Sequence, residues 1–247
     1  MIKLKELINR TSNIEHPPAS EPDPPHRIRY DFNQIQKYES VLNHNNRSLT
    51  DFAKILEFGC GHGRLIKHLF NINPSSSIFG SDVLEEQIEK CKRLFPEGNF
   101  IQNGTNPPIG LEDNEFDFIY SYSVFTHLSE SNHLAWLKEL GRILKPGGMM
   151  LHSVKSYEFV RRAKIFSSQN LLNYRLSEPY EKFEIDNPYH YIIDNPKTPE
   201  YGITIISKKY ILDNWEKSTK LELVDYYEGC IETYPEGCHD LILLRKP

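Results

Sequence analysis

The segment Ile55–Leu65, ILEFGCGHGRL, combines two features that decide the fold. Its first residues, ILEF, are apolar or strand-prone except for one glutamate, so they predict a buried strand. Three glycines follow at alternate positions, Gly59, Gly61 and Gly63. Glycine weakens strands and helices, but it lets the chain turn tightly and approach a ligand without obstruction by a Cβ atom. A buried strand that ends in such a loop predicts a ligand-binding turn.

Strand and helix patterns alternate along most of the chain. Short apolar runs predict five strands, in KILEF, SIFGSDV, NFIQNG, FDFIYSYS and MMLHSVK. Apolar residues at helical spacing predict helices in GRLIKHLF, LEEQIEKCKRLF, ESNHLAWLKELGRIL and SKKYILDNWEK. Two last strands, forming an antiparallel hairpin, are predicted in LELVDYYEGC and HDLILLRKP. This alternation predicts an α/β fold, with a mostly parallel sheet and helices on both of its faces.

Two segments interrupt the alternation and define the predicted domain organisation. Residues 1–30 are predicted to form an N-terminal arm, because prolines exclude a helix at Pro17, Pro18, Pro22, Pro24 and Pro25. The folded domain is predicted over 31–247, beginning with a helix from about Asp31 to Asn46. Residues 156–206 are rich in Tyr, Asn and Pro, and predict an insertion that covers the carboxyl edge of the sheet, on the substrate side.

Composition limits the classes of function. The net charge of −5 and the lack of a Lys/Arg-rich stripe disfavour a nucleic-acid partner. We expect no signal peptide and no membrane insertion, because no segment approaches the roughly 20 apolar residues of a membrane span. The four cysteines show no CxxC spacing, which indicates a reducing cytoplasm. We expect no metal site, and interpret Glu232, His239 and Asp240 as terminal surface or strand residues.

An acidic residue, Asp82, ends the second predicted strand, 19 positions beyond Gly63 (82 − 63). Ligands of open α/β sheets bind beyond the carboxyl ends of the strands, and a carboxylate about 20 residues after a glycine-rich turn is placed to accept hydrogen bonds from ribose hydroxyls. We therefore predict a nucleoside-containing ligand. The spacing E-x-G-x-G-x-G differs from the G-x-G-x-x-G of nicotinamide sites, which disfavours a dehydrogenase.

Four motifs across residues 54–153 resemble those of class I S-adenosylmethionine-dependent methyltransferases, in order and in spacing. They are LEFGCGHGR, GSDV, FDFIYSYSVFTHL and ELGRILKPGGMML. The resemblance implies a Rossmann-like, seven-stranded sheet with an antiparallel last strand, and S-adenosylmethionine as the cofactor, with S-adenosylhomocysteine as its product. It also implies a cofactor site formed by Glu57, Phe58, Gly59, Cys60, Gly61, Gly63, Arg64, Asp82, Val83, Asn103, Gly104 and Tyr122.

The resemblance assigns separate roles within that site. It implies that Glu57 orients the methionine amino end through the loop, that Asp82 holds the ribose and that Val83 flanks the adenine. Many members of the family place an aspartate after the third strand to bind the adenine amino group. This chain has FIQNGTNPP there, so the side chain of Asn103 or the backbone of Gly104 would take that role.

His127 is the leading candidate for a catalytic base. It lies in SVFTHL, just past the fourth predicted strand, and an imidazole titrates near neutral pH, which suits proton removal from a hydroxyl acceptor. The alternative is that it holds the loop or contacts the cofactor. His152, inside the fifth predicted strand, is interpreted as structural. Within the aromatic-rich insertion, Tyr157, Tyr189 and His190 are predicted to bind the acceptor.

A second resemblance concerns the acceptor. YSVFTHLSESNHLAWLKEL and EGCIETYPEGCHDLILLRKP are similar to a bacterial subgroup of methyltransferases that accompany glycosyltransferases in surface-polysaccharide assembly. This implies methyl transfer to a small-molecule acceptor, first of all a hydroxyl of a sugar or glycan precursor. Two alternatives stay open, namely N-methyl transfer to an amino sugar or other amine, and a non-catalytic scaffold that keeps the nucleoside pocket.

Overall fold

The computed structural model of this chain describes the backbone of residues 25–159, 188–193, 201–229 and 239–247, and the side chains of these residues from Asp31 onward. Residues 1–24, Cys230, Cys238 and most of the predicted insertion therefore lie outside the described residues. None of the helices within the described ranges is long and apolar enough to cross a membrane.

The described residues form nine strands and five α-helices. The strands are β1 (Lys54–Phe58), β2 (Ser77–Asp82), β3 (Asn99–Gln102), β4 (Phe116–Ser121), β5 (Leu144–Val154), β6 (Tyr189–Ile193), β7 (Gly202–Ile206), β8 (Glu222–Tyr227) and β9 (Asp240–Arg245). The helices are α1 (Pro25–His44), α2 (Ile66–Ile72), α3 (Glu85–Leu94), α4 (Glu130–Ile143) and α5 (Lys208–Thr219), and a short 3-10 helix (Leu49–Asp51) precedes β1.

Seven of the strands form one sheet, in the order β3-β2-β1-β4-β5-β9-β8. Strands β1 to β5 are parallel, so their carboxyl ends lie along one edge. Strand β9 is antiparallel to both of its neighbours, β5 and β8. The predicted fold, a mostly parallel seven-stranded sheet whose last strand is antiparallel, is confirmed.

The sheet separates two apolar cores, because successive side chains of a strand point to opposite faces. In β1, Ile55 packs with residues of α1, α2 and α3, such as Leu42, Leu69 and Ile88. Its neighbour Leu56 packs on the opposite face with residues of α4 and α5. Helices therefore cover both faces of the sheet, as the alternation predicts.

Two boundaries differ from the sequence prediction. Helix α1 begins at Pro25, so the prediction that this proline excludes a helix was wrong. Proline is tolerated in a first helical turn, where its missing N–H would have no partner in any case. Strand β5 also begins earlier than predicted. Leu144 pairs with Phe116 before the KPGG segment, and the register shifts between Phe116 and Phe118.

Strands β6 and β7 form a separate antiparallel hairpin at the carboxyl edge of the large sheet. The hairpin is joined to this edge by backbone hydrogen bonds from Thr204 to the Thr126 carbonyl (2.8 Å) and from Ile206 to the Lys155 carbonyl (2.9 Å). Thr126 lies just after β4 and Lys155 just after β5. The described part of the predicted insertion thus lies against the loops in which an α/β fold places its ligand.

Candidate functional site

A cavity of about 280 Å³ opens at the carboxyl ends of β1, β2, β3 and β4. Seven of the residues predicted to bind the cofactor or to act as the base line it, namely Phe58, Gly59, Asp82, Val83, Asn103, Tyr122 and His127. The other lining residues are Leu84, Thr105, Ser123, Val124, Leu128, Trp136 and Tyr201. The structure thus brings the ends of four strands together around one cavity.

The glycine loop after β1 folds back onto the end of β2. The amides of Gly59 and Cys60 both donate to the Ser81 carbonyl, at 2.7 and 2.8 Å. Gly59 has a φ of +77°, and a Cβ atom there would lie 2.2 Å from Cγ2 of Val124, which also lines the cavity. Glycine is therefore required at position 59 by both the backbone conformation and the close approach of the next loop.

Gly63 has a different neighbour. Its φ is +87°, and an added Cβ atom would lie 2.5 Å from Cε2 of Phe95, at the end of α3. Neither Gly61 nor Gly63 is among the residues that line the cavity. Gly63 therefore serves the packing of the loop against α3.

Asp82 joins the glycine loop to the start of the next segment. Its Oδ2 atom accepts a hydrogen bond from the Gly61 amide (2.8 Å), and its Oδ1 atom accepts one from the Leu84 amide (3.0 Å). An ionised carboxylate offers about four acceptor positions, so lone pairs remain for further donors. The half-buried carboxylate at the cavity wall thus fits the hydroxyl groups of a ribose.

Asn103 lines the same cavity and carries an unsatisfied acceptor that is itself buried. The side chain is only 6% exposed, and its Nδ2 donates to the Gly104 carbonyl at 2.8 Å. Because a carbonyl only accepts, this bond fixes the orientation of the amide. Within the described residues, the Oδ1 atom is buried without a hydrogen-bond partner. A buried acceptor left unpaired is costly, so this residue fits a ligand that brings an N–H donor, such as an adenine amino group.

Glu57 lies beneath the loop and not among the cavity-lining residues. Its Oε2 atom accepts a hydrogen bond from the hydroxyl of Tyr120 (2.9 Å), and the carboxyl group is buried. Burial raises the pKa of Glu57 from its ordinary value of 4.5 to about 8, against the opposing effect of the Tyr120 hydrogen bond. This glutamate therefore holds a proton in the folded protein at neutral pH.

The stability of the protein is expected to fall with rising pH because of Glu57. Because the pKa of Glu57 is higher in the folded than in the unfolded protein, protonated Glu57 favours the folded state. This contribution to the free energy of unfolding is complete below about pH 4.5 and is lost as the pH rises through about 8. Glu57→Gln cannot ionise, so at pH 9 we expect it to be more stable than wild type by a few kcal/mol, at about 1.4 kcal/mol for each pKa unit. Urea unfolding at pH 6 and pH 9 measures this difference.

The matched control is Glu115→Gln, which changes a carboxylate that pairs with Lys54 on β1. This control should keep the pH dependence of wild type. Equal pH dependence of unfolding in wild type and Glu57→Gln would contradict a protonated, buried Glu57.

Arg64 and Cys60 are also not among the residues that line the cavity. A guanidinium nitrogen of Arg64 lies 3.3 Å from Oδ1 of Asp31, a buried residue of α1. The thiols of Cys60 and Cys91 both donate to the Gly61 carbonyl, with sulfur–oxygen distances of 3.6 and 3.3 Å. These contacts connect the loop to α1 and α3, so both residues hold the loop in its conformation.

His127 lines the cavity on the β4 side. Its Nδ1 atom lies 2.7 Å from the carbonyl oxygen of Gly202 on β7. A carbonyl cannot donate, so the hydrogen-bond network assigns the proton to Nδ1 and leaves the lone pair of the neutral ring on Nε2. The imidazole also stacks on the ring of Tyr201, with 4.6 Å between ring centroids and an interplanar angle of 8°.

The three predicted acceptor-binding residues do not converge on this cavity. Tyr189 is buried, and its hydroxyl donates to the Leu128 carbonyl (2.9 Å), which secures the hairpin. Tyr157 lines a second cavity of about 260 Å³, together with Ser156, Glu158, Lys208, Tyr226, Glu228 and Asp240. The ring of His190 lies 6.1 Å from that of Tyr157.

His152 lies in the interior, as predicted. Its Nδ1 atom is 2.8 Å from the Ser121 hydroxyl, and burial lowers the pKa of the ring to about 3, so it stays neutral. Among the described residues, no group of three or more His, Cys, Asp or Glu side chains is arranged to hold a metal ion.

Several lining residues were not predicted from the sequence. Ser123, Val124 and Leu128 all lie within the FDFIYSYSVFTHL motif, so the motif itself was a signal for them. Trp136 lies on α4, where apolar spacing indicates only a core position. Tyr201 is separated from His127 by 74 positions (201 − 127), and no local pattern connects the two.

Comparison with known protein families agrees with a ligand site at this position in the chain. Residues 55–148 match a family described as a methyltransferase domain, and these residues include the glycine loop, Asp82, Asn103 and His127. Residues 55–148 of this chain are thus similar to a methyltransferase domain. A S-adenosylmethionine-dependent methyltransferase from Methanosarcina mazei has the same fold, with a TM-score of 0.56 and 19% identity over 83% of this chain and 96% of that chain.

Curated methyltransferases resemble this chain over part of their length. A fatty-acid O-methyltransferase of Mycolicibacterium smegmatis is 28% identical over 143 residues, which are 54% of this chain and 49% of the relative. A tRNA (carboxymethyluridine(34)-5-O)-methyltransferase of Arabidopsis thaliana is 32% identical over 112 residues, 45% of this chain and 26% of the relative. The chain thus spans about half the length of the first relative, and the acceptors named for the two differ in class.

Proposed function

We propose that this protein transfers the methyl group of S-adenosylmethionine to a small-molecule acceptor, and that the acceptor atom is a hydroxyl oxygen of a sugar or glycan precursor. The observation that supports the cofactor part is one cavity wall that holds both the Asp82 carboxylate and Asn103, whose buried Oδ1 atom has no hydrogen-bond partner within the described residues. The sugar part rests on the resemblance of two segments to polysaccharide-associated methyltransferases.

The residues of the cavity divide the binding of the cofactor between them. Asp82 would accept hydrogen bonds from the ribose, and Asn103 would accept one from the adenine amino group. Val83 and Leu84 are 43% and 57% exposed at the cavity wall, and they offer apolar surface to the base. Gly59, which also lines the cavity, would face the methionine end. When bound, S-adenosylmethionine supplies a methyl group that its sulfonium already activates, so the protein contributes mainly orientation.

Replacing Asn103 with alanine should weaken S-adenosylhomocysteine binding about fivefold, because one neutral hydrogen bond contributes roughly 0.5–1.5 kcal/mol. Asn103→Asp keeps an acceptor at the same position and should lose less affinity than Asn103→Ala. Isothermal titration calorimetry measures both. Equal affinity of wild type and Asn103→Ala would remove this residue from the adenine site and leave the Gly104 backbone as the candidate.

His127 would act as a general base toward a hydroxyl acceptor. The Gly202 carbonyl holds the proton on Nδ1, so Nε2 is the atom that would take the acceptor proton. An amine acceptor that arrives unprotonated needs no such base. The N-methyl alternative and the hydroxyl proposal thus differ in their dependence on His127.

The location and the remaining partners follow from composition. We infer a cytoplasmic protein, because its four cysteines show no CxxC spacing. We infer a small-molecule rather than a nucleic-acid acceptor, because the net charge is −5 and the sequence lacks a Lys/Arg-rich stripe. The segment 156–206 is proposed to cover the acceptor. Tyr157 would contribute from the second cavity and His190 from beside the Tyr157 ring, whereas Tyr189 would support the hairpin.

The proposed reaction is tested with purified protein, methyl-labelled S-adenosylmethionine and a panel of acceptors. The panel holds nucleotide sugars, free and amino sugars, and fatty acids, and mass spectrometry locates the added methyl group. We expect methylation on an oxygen of a sugar compound, with one S-adenosylhomocysteine formed for each product. A product methylated on nitrogen would establish the amine alternative. Cofactor binding without transfer to any compound would favour the scaffold alternative.

A further inference from the structure

The β6–β7 hairpin and the loop after β4 are joined around His127. The Gly202 amide donates to the His127 carbonyl (3.0 Å), and Nδ1 of His127 donates to the Gly202 carbonyl (2.7 Å). One residue of the hairpin therefore binds both the backbone and the side chain of the candidate base. The neighbouring bond from the Thr204 amide to the Thr126 carbonyl (2.8 Å) extends this contact on one side.

The chain packs too closely at Gly202 for a side chain. A Cβ atom there would lie 2.3 Å from the carbonyl oxygen of Ile192 on the partner strand. Backbone of β6 occupies that position and cannot move aside as a side chain would. The absence of a side chain lets strand β7 approach β6 and still present its carbonyl to the imidazole.

Tyr201 covers one face of the imidazole. The two rings are nearly parallel, at 8°, and their centroids are 4.6 Å apart. Tyr201 is 51% exposed and lines the same cavity as His127. Rotation of a histidine ring about χ2 is only weakly restricted by its own torsional preference, so a neighbour must fix the plane of the ring.

We propose that Tyr201 is a positioning residue for His127: its ring, with the Gly202 carbonyl, holds the imidazole so that Nε2 presents its lone pair to the acceptor. This rests on the proposed function only for the role of Nε2 as a base. The contact between the hairpin and the imidazole stands on the geometry alone. The hairpin thereby becomes part of the catalytic site, because it fixes the tautomer and the plane of the base.

The tautomer of His127 tests this directly and needs no acceptor. Protein labelled with ¹⁵N-histidine is studied by long-range ¹H–¹⁵N correlation at alkaline pH, and His127→Gln assigns the signal. In wild type we expect the Nδ1–H tautomer to dominate at His127. In Tyr201→Ala we expect a marked shift toward a mixture with the Nε2–H tautomer, whereas Tyr201→Phe, which keeps the ring, should restore the wild-type signal.

Ile193→Ala is the matched control, because Ile193 is 48% exposed on β6 and is the register partner of Gly202. It should leave the His127 signal unchanged. If Tyr201→Ala does not fold, Tyr201→Leu keeps apolar bulk without an aromatic face, and the same shift is expected. A wild-type His127 signal in the Ala or Leu variant, or the same shift in Tyr201→Phe, would overturn the proposal.

Failure of the proposed function gives a different pattern. If the protein does not bind S-adenosylhomocysteine in calorimetry, the methyl-transfer proposal is lost, while the tautomer result still decides whether Tyr201 positions His127. If the protein binds S-adenosylhomocysteine and the tautomer is insensitive to Tyr201, only the positioning role is lost.

Discussion

Replacing Asp82 with alanine is expected to weaken S-adenosylhomocysteine binding about 100-fold. The variant removes a charged acceptor from the proposed ribose hydroxyls, and hydrogen bonds to a charged group contribute roughly 1.5–3 kcal/mol. It also releases the Gly61 and Leu84 amides, which the two carboxylate oxygens hold in the present structure. Both effects act on the same cavity wall, so the loss of affinity should exceed that of Asn103→Ala.

Asp117→Ala is the matched control for Asp82→Ala. Like Asp82, Asp117 accepts a hydrogen bond from a backbone amide, that of Lys54, at 2.8 Å. Its other carboxylate oxygen accepts one from the ammonium group of Lys145, at 2.7 Å. It lies on β4 and is not among the residues that line the cofactor cavity. Its loss should lower stability and leave the dissociation constant near that of wild type. Near-wild-type binding by Asp82→Ala would mean that the ribose lies elsewhere.

Replacing His127 with glutamine is expected to lower methyl transfer to a hydroxyl acceptor by about 10²- to 10⁴-fold, the range typical of a general base. Binding of S-adenosylhomocysteine should change little, because the cofactor contacts proposed above belong to Asp82 and Asn103. Single-turnover rates with labelled cofactor measure the effect on transfer, and calorimetry measures the effect on binding.

His44→Gln is the control for this comparison, since His44 is exposed in the last turn of α1. It should leave the transfer rate unchanged. An unchanged rate in His127→Gln would remove this residue from the mechanism. An equal loss of binding and rate would instead support the alternative that His127 contacts the cofactor.

Much of the fold could be predicted because its signals are local. The strand KILEF, the glycines that follow and the helix spacing of α3 and α4 are each set by residues within about one element. The antiparallel pairing of β8 and β9 was also predicted, from two strand patterns near the end of the chain. The start of α1 was missed because the proline prediction ignored the special position of a first helical turn.

The details of the site depend on contacts that are distant in sequence. Gly63 faces Phe95, and Glu57 is buried against Tyr120, 63 positions away. Tyr201 reaches His127 only because the hairpin lies against the loop after β4. A motif can therefore predict which residues surround a ligand, whereas tertiary packing decides which of them face it.

The central claim is that the cavity at the ends of β1 to β4 binds an adenosyl sulfur compound. Isothermal titration calorimetry of the wild-type protein with S-adenosylmethionine, S-adenosylhomocysteine and NADH tests it most directly. We predict saturable binding of the first two at one site per chain, and no binding of NADH. The claim would be contradicted if neither sulfur compound gave a heat of binding, or if NADH bound saturably at this cavity.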